Sequence, residues 1–251
     1  MTDDPGLALL TGPDVEDLLA AALATTGQEL AGWRVRQVDH RSGASTTVSY
    51  DATVRGPDGT EHQVLGASTG LPTEGDLPAG VLRLTDGSAT VAVWRFPLDP
   101  GLPALATATD EDAVRQLLAS FGIRPGQLRL DVRSYRPRRR AVVEVRGPGC
   151  RLFLKVLRPK AVQALHARHV LLREAGLPVP RSLGWSTDGL LVLEALGGTT
   201  LRTRLREGGA PAPDGSALLD LLDRLPAGVL DLPARRSWTD EVAHYARVTA
   251  T

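Results

Sequence analysis

Lys155 is the residue whose type and setting most demand a chemical explanation. It stands in Arg151-Leu152-Phe153-Leu154-Lys155-Val156-Leu157, an alternating stretch that is otherwise apolar beyond its first residue. It is one of only two lysines in a chain that uses arginine elsewhere. An ammonium on a buried strand needs a negative partner or bears a large desolvation cost. The bland alternative is an edge lysine whose tip snorkels to water. Further on, Leu190-Leu191-Val192-Leu193-Glu194-Ala195-Leu196-Gly197-Gly198 is an apolar run that ends in an acidic-apolar step. The loop Ser134-Tyr135-Arg136-Pro137-Arg138-Arg139-Arg140 concentrates guanidinium groups. Such a cluster either clamps phosphate oxygens bidentately or is a solvated turn, and both readings are open.

Local patterns predict the elements that position these residues. Leu128, Leu130 and Val132 alternate with polar residues, as do Ala141, Val143 and Val145, so two strands precede the lysine strand Leu152–Leu157. Pro159 opens a helix through about Ala175, which Gly176 closes and Pro178 and Pro180 stop. Ser182–Ser186 and Leu190–Ala195 form a hairpin across Asp188-Gly189. Beyond Gly198, helices are expected over Thr200–Arg206 and Ser216–Leu225, with a last one from Ser237.

The first half carries a comparable set. A helix is expected from Pro13 to Thr25, with Thr11 as its cap. Strands follow at Trp33–Arg36, Thr46–Val54, His62–Leu65, Val81–Leu84 and Thr90–Trp94, with turns at Pro57-Asp58-Gly59 and Asp86-Gly87. Thr109-Asp110-Glu111-Asp112 caps a second helix, with Val114, Leu117, Leu118 and Phe121 on one face and Gly122 at its end. Val54-Arg55-Gly56-Pro57 matches Val145-Arg146-Gly147-Pro148, and Thr85-Asp86-Gly87 matches Thr187-Asp188-Gly189. Either the chain holds an internal duplication or these are common turn sequences. On the first reading, the copy's third strand, Gln63-Val64-Leu65-Gly66, has lost the lysine.

Composition excludes several classes. Lys+Arg and Asp+Glu balance at 29 each, which argues against a general nucleic-acid or membrane-surface binder. The single cysteine, Cys150, rules out an intramolecular disulfide and a multi-cysteine metal site. No signal pattern and no spanning apolar run occurs, so the chain reads as cytoplasmic.

The order and spacing of Phe153-Leu154-Lys155-Val156, Ala164-Leu165-His166-Ala167-Arg168-His169, Gly176-Leu177-Pro178-Val179-Pro180 and Val192-Leu193-Glu194-Ala195-Leu196-Gly197 resemble the amino-terminal lobe of aminoglycoside phosphotransferase-type proteins. That family includes choline kinases and maltokinases and shares the protein-kinase fold. The resemblance covers residues 123–251. It implies an α+β chain with a kinase-like nucleotide-binding lobe over 123–198, built from one antiparallel sheet plus one helix. A similar accessory α+β domain over 1–122 would precede it, and the start of a helical carboxyl-terminal lobe over 199–251 would follow.

The resemblance further implies ATP as ligand. Lys155 would pair with its α- and β-phosphates, and residues Glu194, Ala195 and Leu196 would hold adenine through the backbone. Phe153 and Val143 join them in the implied nucleotide site, as do Arg136 and Arg138 of the arginine loop. The sequence departs from the family in two respects. The helix after the lysine strand offers His166 and His169 where a glutamate is expected, with Glu174 too late. The His-Gly-Asp loop and the later metal-binding aspartate occur nowhere in residues 1–251. This chain alone is therefore expected to be catalytically inactive, with Mg²⁺ required only beside the missing lobe. The alternative is a non-catalytic, pseudokinase-like nucleotide- or partner-binding module. The phosphoryl acceptor is unreadable. An incomplete helical lobe also exposes apolar surface, which predicts self-association.

Overall fold

The computed structural model describes residues 4–41, 43–57, 59–71, 77–85, 89–207, 214–234, 239, 242 and 246. Among these residues the chain forms seven α-helices and two five-stranded antiparallel sheets, a mixed α+β architecture. The expected turn residues Asp58, Asp86 and Gly87 and the helix start at Ser237 lie outside the described residues. Contacts divide the chain into two units. The larger comprises residues 4–167 and 181–195, and the smaller comprises 168–180 and the described residues after 195. Among the described residues, no helix is long and apolar enough to cross a membrane.

Both sheets belong to the larger unit. The first half runs α1 (Pro5–Thr11), α2 (Val15–Ala24), β1 (Glu29–Arg41), β2 (Ser45–Gly56), β3 (Gly59–Ser68), β4 (Val81–Thr85) and β5 (Thr90–Arg95). The second runs α3 (Leu105–Thr109), α4 (Glu111–Ser120), β6 (Arg129–Arg136), β7 (Arg140–Gly147), β8 (Cys150–Leu157), α5 (Pro159–Glu174), β9 (Ser182–Trp185) and β10 (Leu190–Glu194). Strand order is β1-β2-β3-β5-β4 in one sheet and β6-β7-β8-β10-β9 in the other, so the two halves share a topology.

The matched Arg-Gly-Pro segments occupy the same turn in each half, where Gly56 pairs with Gly59 and Gly147 with Cys150. Counted from those pairs, Val64 stands where Lys155 stands. The sheets do not share register throughout. β5 pairs with Leu65–Ser68, whereas β10 pairs with Leu152–Val156, and Leu65 is the counterpart of Val156. The second sheet stops sooner because Pro159 turns the chain into α5 directly after β8.

Periodicity explains the two main cores. Val48, Tyr50, Ala52 and Val54 alternate along β2 and pack with Leu19 and Leu23 of α2. Ala141, Val143 and Val145 of β7 and Leu152, Leu154 and Val156 of β8 pack with Val114 and Leu118 of α4. Within the expected cap segment, residues 109–112, Asp110 caps α4, its Oδ1 accepting the Ala113 N–H at 2.7 Å. At the other end of α5, Gly176 takes φ +74°, and the Leu177 N–H returns to the Leu172 carbonyl at 3.0 Å. That left-handed stop is why a glycine stands there.

One helix differs from expectation. Thr11 does not cap a helix beginning at Pro13. It is the last residue of α1, where its hydroxyl donates to the Leu7 carbonyl at 2.8 Å. Asp4 caps α1, its Oδ1 accepting the Gly6 and Leu7 N–H groups, while α2 follows Asp14, whose side chain makes no capping bond. Pro13 therefore lies in the short α1–α2 link rather than inside α2.

In the smaller unit, α6 (Leu201–Glu207) and α7 (Gly215–Asp223) form near the expected positions. Neither contains a buried residue. Arg224 Nη2 donates to the Gly176 carbonyl at 2.8 Å.

Candidate functional site

Alternation along β8 gives it two chemically distinct faces. Leu152, Leu154 and Val156 enter the α4-side core, which turns Phe153 and Lys155 to the other face. A one-residue slip would bury the ammonium and expose the leucines, so register is strongly specified. Directly opposed residues in antiparallel strands share a face. Lys155 opposes Val142 of β7 and Leu191 of β10, and Phe153 opposes Glu144 and Leu193. Leu191 and Leu193 form a small core there with Val162 of α5, and Phe153, Leu165 and Trp185 pack on it. Lys155 is thus half-buried on the α5-covered face, not on an exposed strand edge.

The strongest electrostatic feature of this face is Glu144. Its side chain is 1% exposed, yet three guanidiniums reach it. Arg146 Nη2 lies 2.8 Å from Oε2, Arg151 Nε lies 2.7 Å from Oε1, and Arg133 also donates to Oε2. The Arg146 hydrogen bond and those from Arg151 and Arg133 outweigh burial and hold the Glu144 carboxyl well below the usual carboxylate range. Arg151 also lies over the Phe153 ring, 5.6 Å from its centroid. The rule that singles out Lys155, an ionic residue within an apolar strand, applies equally to Glu144 in Val142-Val143-Glu144-Val145. The sequence carries that signal, although the nucleotide site implied by resemblance does not include Glu144.

The helix after β8 carries no carboxylate until Glu174, its last residue. His166 Nδ1 is 2.8 Å from Ser182 Oγ, and His169 Nδ1 is 3.0 Å from the Pro180 carbonyl. Both histidines thus tie α5 to the segment that follows it.

The remaining expected contacts divide. Val143 is fully buried in the α4-side core, so it does not share a face with Lys155 and leaves the candidate set. Glu194 ends β10 on the strand beside Lys155, and its carboxylate pairs with Arg181. The Glu194 N–H donates to the Arg181 carbonyl at 2.9 Å and the Ala195 N–H to the Arg151 carbonyl at 3.2 Å. Both backbone donors are therefore engaged. Leu196 is exposed and belongs to the smaller unit. Arg136 is exposed at the end of β6.

Arg138 departs furthest from expectation. It has φ +58°, the left-handed region that a non-glycine residue occupies only when its surroundings enforce it. Its N–H donates to Asp99 Oδ2 at 2.7 Å, and its guanidinium donates to Ser68 Oγ at 2.7 Å and the Gly70 carbonyl at 2.8 Å. The side chain is committed to the first half of the unit rather than free to clamp a ligand on the Lys155 face. Burial lowers its pKa, and the neighbouring Arg158 and Arg41 charges act in the same direction.

Three cavities are described. The largest, about 860 Å³, lies along Trp33, Arg34, Arg36, Asp51 and His62. One of about 210 Å³ lies at the β6–β7 turn, and one of about 70 Å³ lies beside α2. None of them is lined by Lys155, Phe153 or residues 194–196. Among the described residues, no cluster of three or more His, Cys, Asp or Glu side chains could hold a metal ion. Compared with known proteins, the chain matches no family model and no curated protein.

Proposed function

We propose that the second half of the larger unit is the nucleotide-binding part of an ATP-dependent small-molecule phosphotransferase. The observation that carries the reading is the connection around Lys155. A lysine on the third strand is followed by a helix and a hairpin, and the hairpin's second strand returns beside the lysine strand. That order brings Leu191 and Leu193 opposite Lys155 and Phe153 on one half-covered face. A half-buried lysine there suits the α- and β-phosphates of ATP, and the apolar neighbours suit a purine ring.

The residues that would serve ATP are Lys155 and Phe153, with the backbone around Glu194 and Ala195. Arg138 and Val143 are not among them. The first sheet, on this reading, is a copy that binds no nucleotide, because Val64 replaces the lysine. Phosphoryl transfer needs a positioned base and carboxylates for Mg²⁺, and the His-Gly-Asp loop that would supply them is absent from residues 1–251.

Two observations favour the second reading, a non-catalytic nucleotide- or partner-binding module. α5 carries its one carboxylate at its last residue, Glu174, and the Glu194 and Ala195 N–H groups already have backbone acceptors. Calorimetric titration with ATP, using wild type and Lys155→Met, tests the shared premise. Tenfold or greater weakening in the variant is expected. Equal affinity in both proteins would remove Lys155 from nucleotide binding and end both readings.

A further inference from the structure

We propose that the arginine-lined cavity at the β6–β7 turn is a second anion site that binds a phosphate group. This cavity of about 210 Å³ is lined by Arg41, Arg138, Arg139 and Arg158, with Asp39 as the one carboxylate among the lining residues. It lies entirely within the larger unit. Asp39 is already used, since Arg139 forms a two-pronged pair with both its oxygens.

Two of the other cations, Arg138 and Arg158, are held in place by uncharged groups. Arg138 donates its guanidinium to a hydroxyl and a carbonyl, both uncharged. Arg158 Nε donates to the Arg138 carbonyl at 2.8 Å, again an uncharged acceptor. Arg41 makes no described ion pair and is exposed. Guanidiniums positioned by neutral acceptors keep their charge available to a ligand, and their forked donors match phosphate oxygens. The space suits one compact tetrahedral anion rather than a whole nucleotide. Ser45 and Thr47 add hydroxyls to the wall.

The turn is built to hold this shape. A Cβ on Gly101 would come within 2.8 Å of the Arg138 Cα, so glycine permits the close approach of the two segments. Asp99 fixes the Arg138 backbone in its left-handed conformation from the same side. Strain maintained this firmly at a surface cavity is a feature of preorganised sites. The inference does not depend on the nucleotide reading, because Lys155 does not line the cavity.

The test is calorimetry on the full chain with inorganic phosphate, pyrophosphate and ATP, at constant ionic strength set by chloride. Saturable binding of inorganic phosphate is expected. Arg158→Gln and Arg41→Gln should each weaken it about tenfold, and Lys155→Met should leave it unchanged. Arg158 also supports the Arg138 carbonyl, so Arg41→Gln, at an exposed position, separates charge from folding. Pyrophosphate binding more tightly than phosphate through the same arginines would assign the ligand as a phosphate ester or polyphosphate. Absence of saturable phosphate binding, indifference to both arginine variants, or loss in Lys155→Met would each overturn the proposal. ATP binding that survives Arg41→Gln but not Lys155→Met would leave the nucleotide reading standing on its own.

Discussion

Asp99 accepts the backbone N–H of Arg138 at 2.7 Å while the residue is only 3% exposed. The same carboxylate accepts the Tyr135 hydroxyl at 2.8 Å and the Gly101 N–H at 2.7 Å, and Trp94 Nε1 donates to Tyr135 at 3.0 Å. Trp94 lies on β5 and Tyr135 on β6, so this buried network joins the two sheets. A buried group left without its partner costs more than the hydrogen bond contributes when made. Asp99→Ala strands three donors and should lower stability by about 3 kcal/mol. Asp99→Asn keeps an acceptor oxygen and should cost about 1 kcal/mol. Urea unfolding followed by tryptophan fluorescence measures both, and equal costs would show that the acceptor is unimportant.

Acid should unfold the protein partly through Glu144. Its carboxyl is held below the ordinary value of 4.5, so on acidification the unfolded chain takes up the proton first. The stabilisation this group contributes is complete above 4.5 and declines as pH falls below it. Asp99 acts in the opposite sense. Burial raises its carboxyl above 3.8, so its contribution weakens as pH rises from 3.8 through the raised value. Glu144→Gln should therefore flatten the loss of stability below pH 4.5, and should lower stability near neutrality because Arg133, Arg146 and Arg151 lose the carboxylate they share. An unchanged acid limb in a urea series across pH would contradict this role.

Val64 occupies the first-sheet counterpart of Lys155, but its surroundings differ. It packs against the α4-side core, and the Phe96 N–H donates to its carbonyl at 2.9 Å. Restoring a lysine there should not create a nucleotide site. Val64→Lys should destabilise by about 2 kcal/mol, because a charge would replace an apolar contact and its cross-strand neighbour Asp51 is already paired with Arg34 and Arg36. Thermal unfolding and ATP titration of the variant check both parts, and ATP binding by Val64→Lys in a Lys155→Met background would refute the distinction.

Particular residues show how far the sequence carries these conclusions. The alternation of Leu152, Leu154 and Val156 against Phe153 and Lys155 was legible because a strand's period is set locally. So were the cap segment at residues 109–112 and Gly176 as a stop, since each acts within its own turn. β1 was legible only in part. Its charged residues Arg34, Arg36 and Asp39 and a half-exposed edge mask a 13-residue strand. The commitment of Arg138 was not legible, because its partners Ser68, Gly70 and Asp99 are remote in sequence. Val143 looked like a ligand contact because strand periodicity tells which residues share a face but not which face meets which core.

The leucines of α7 carry the last prediction. Leu218, Leu219 and Leu222 are 51%, 62% and 59% exposed, and α7 buries none of its residues. Their spacing places them along one side of the helix, with Asp220 and Asp223 between and after them. Apolar side chains in such a stripe lose water contact only by meeting another surface, and a second copy of the chain supplies one at high concentration. Light scattering across a concentration series should show the mean mass rising. The double variant Leu219→Gln and Leu222→Gln should hold it at the monomer value without changing the unfolding midpoint, because neither side chain is buried in the fold. A constant monomer mass in the unmodified chain would show that the stripe is tolerated in water and draws no partner copy.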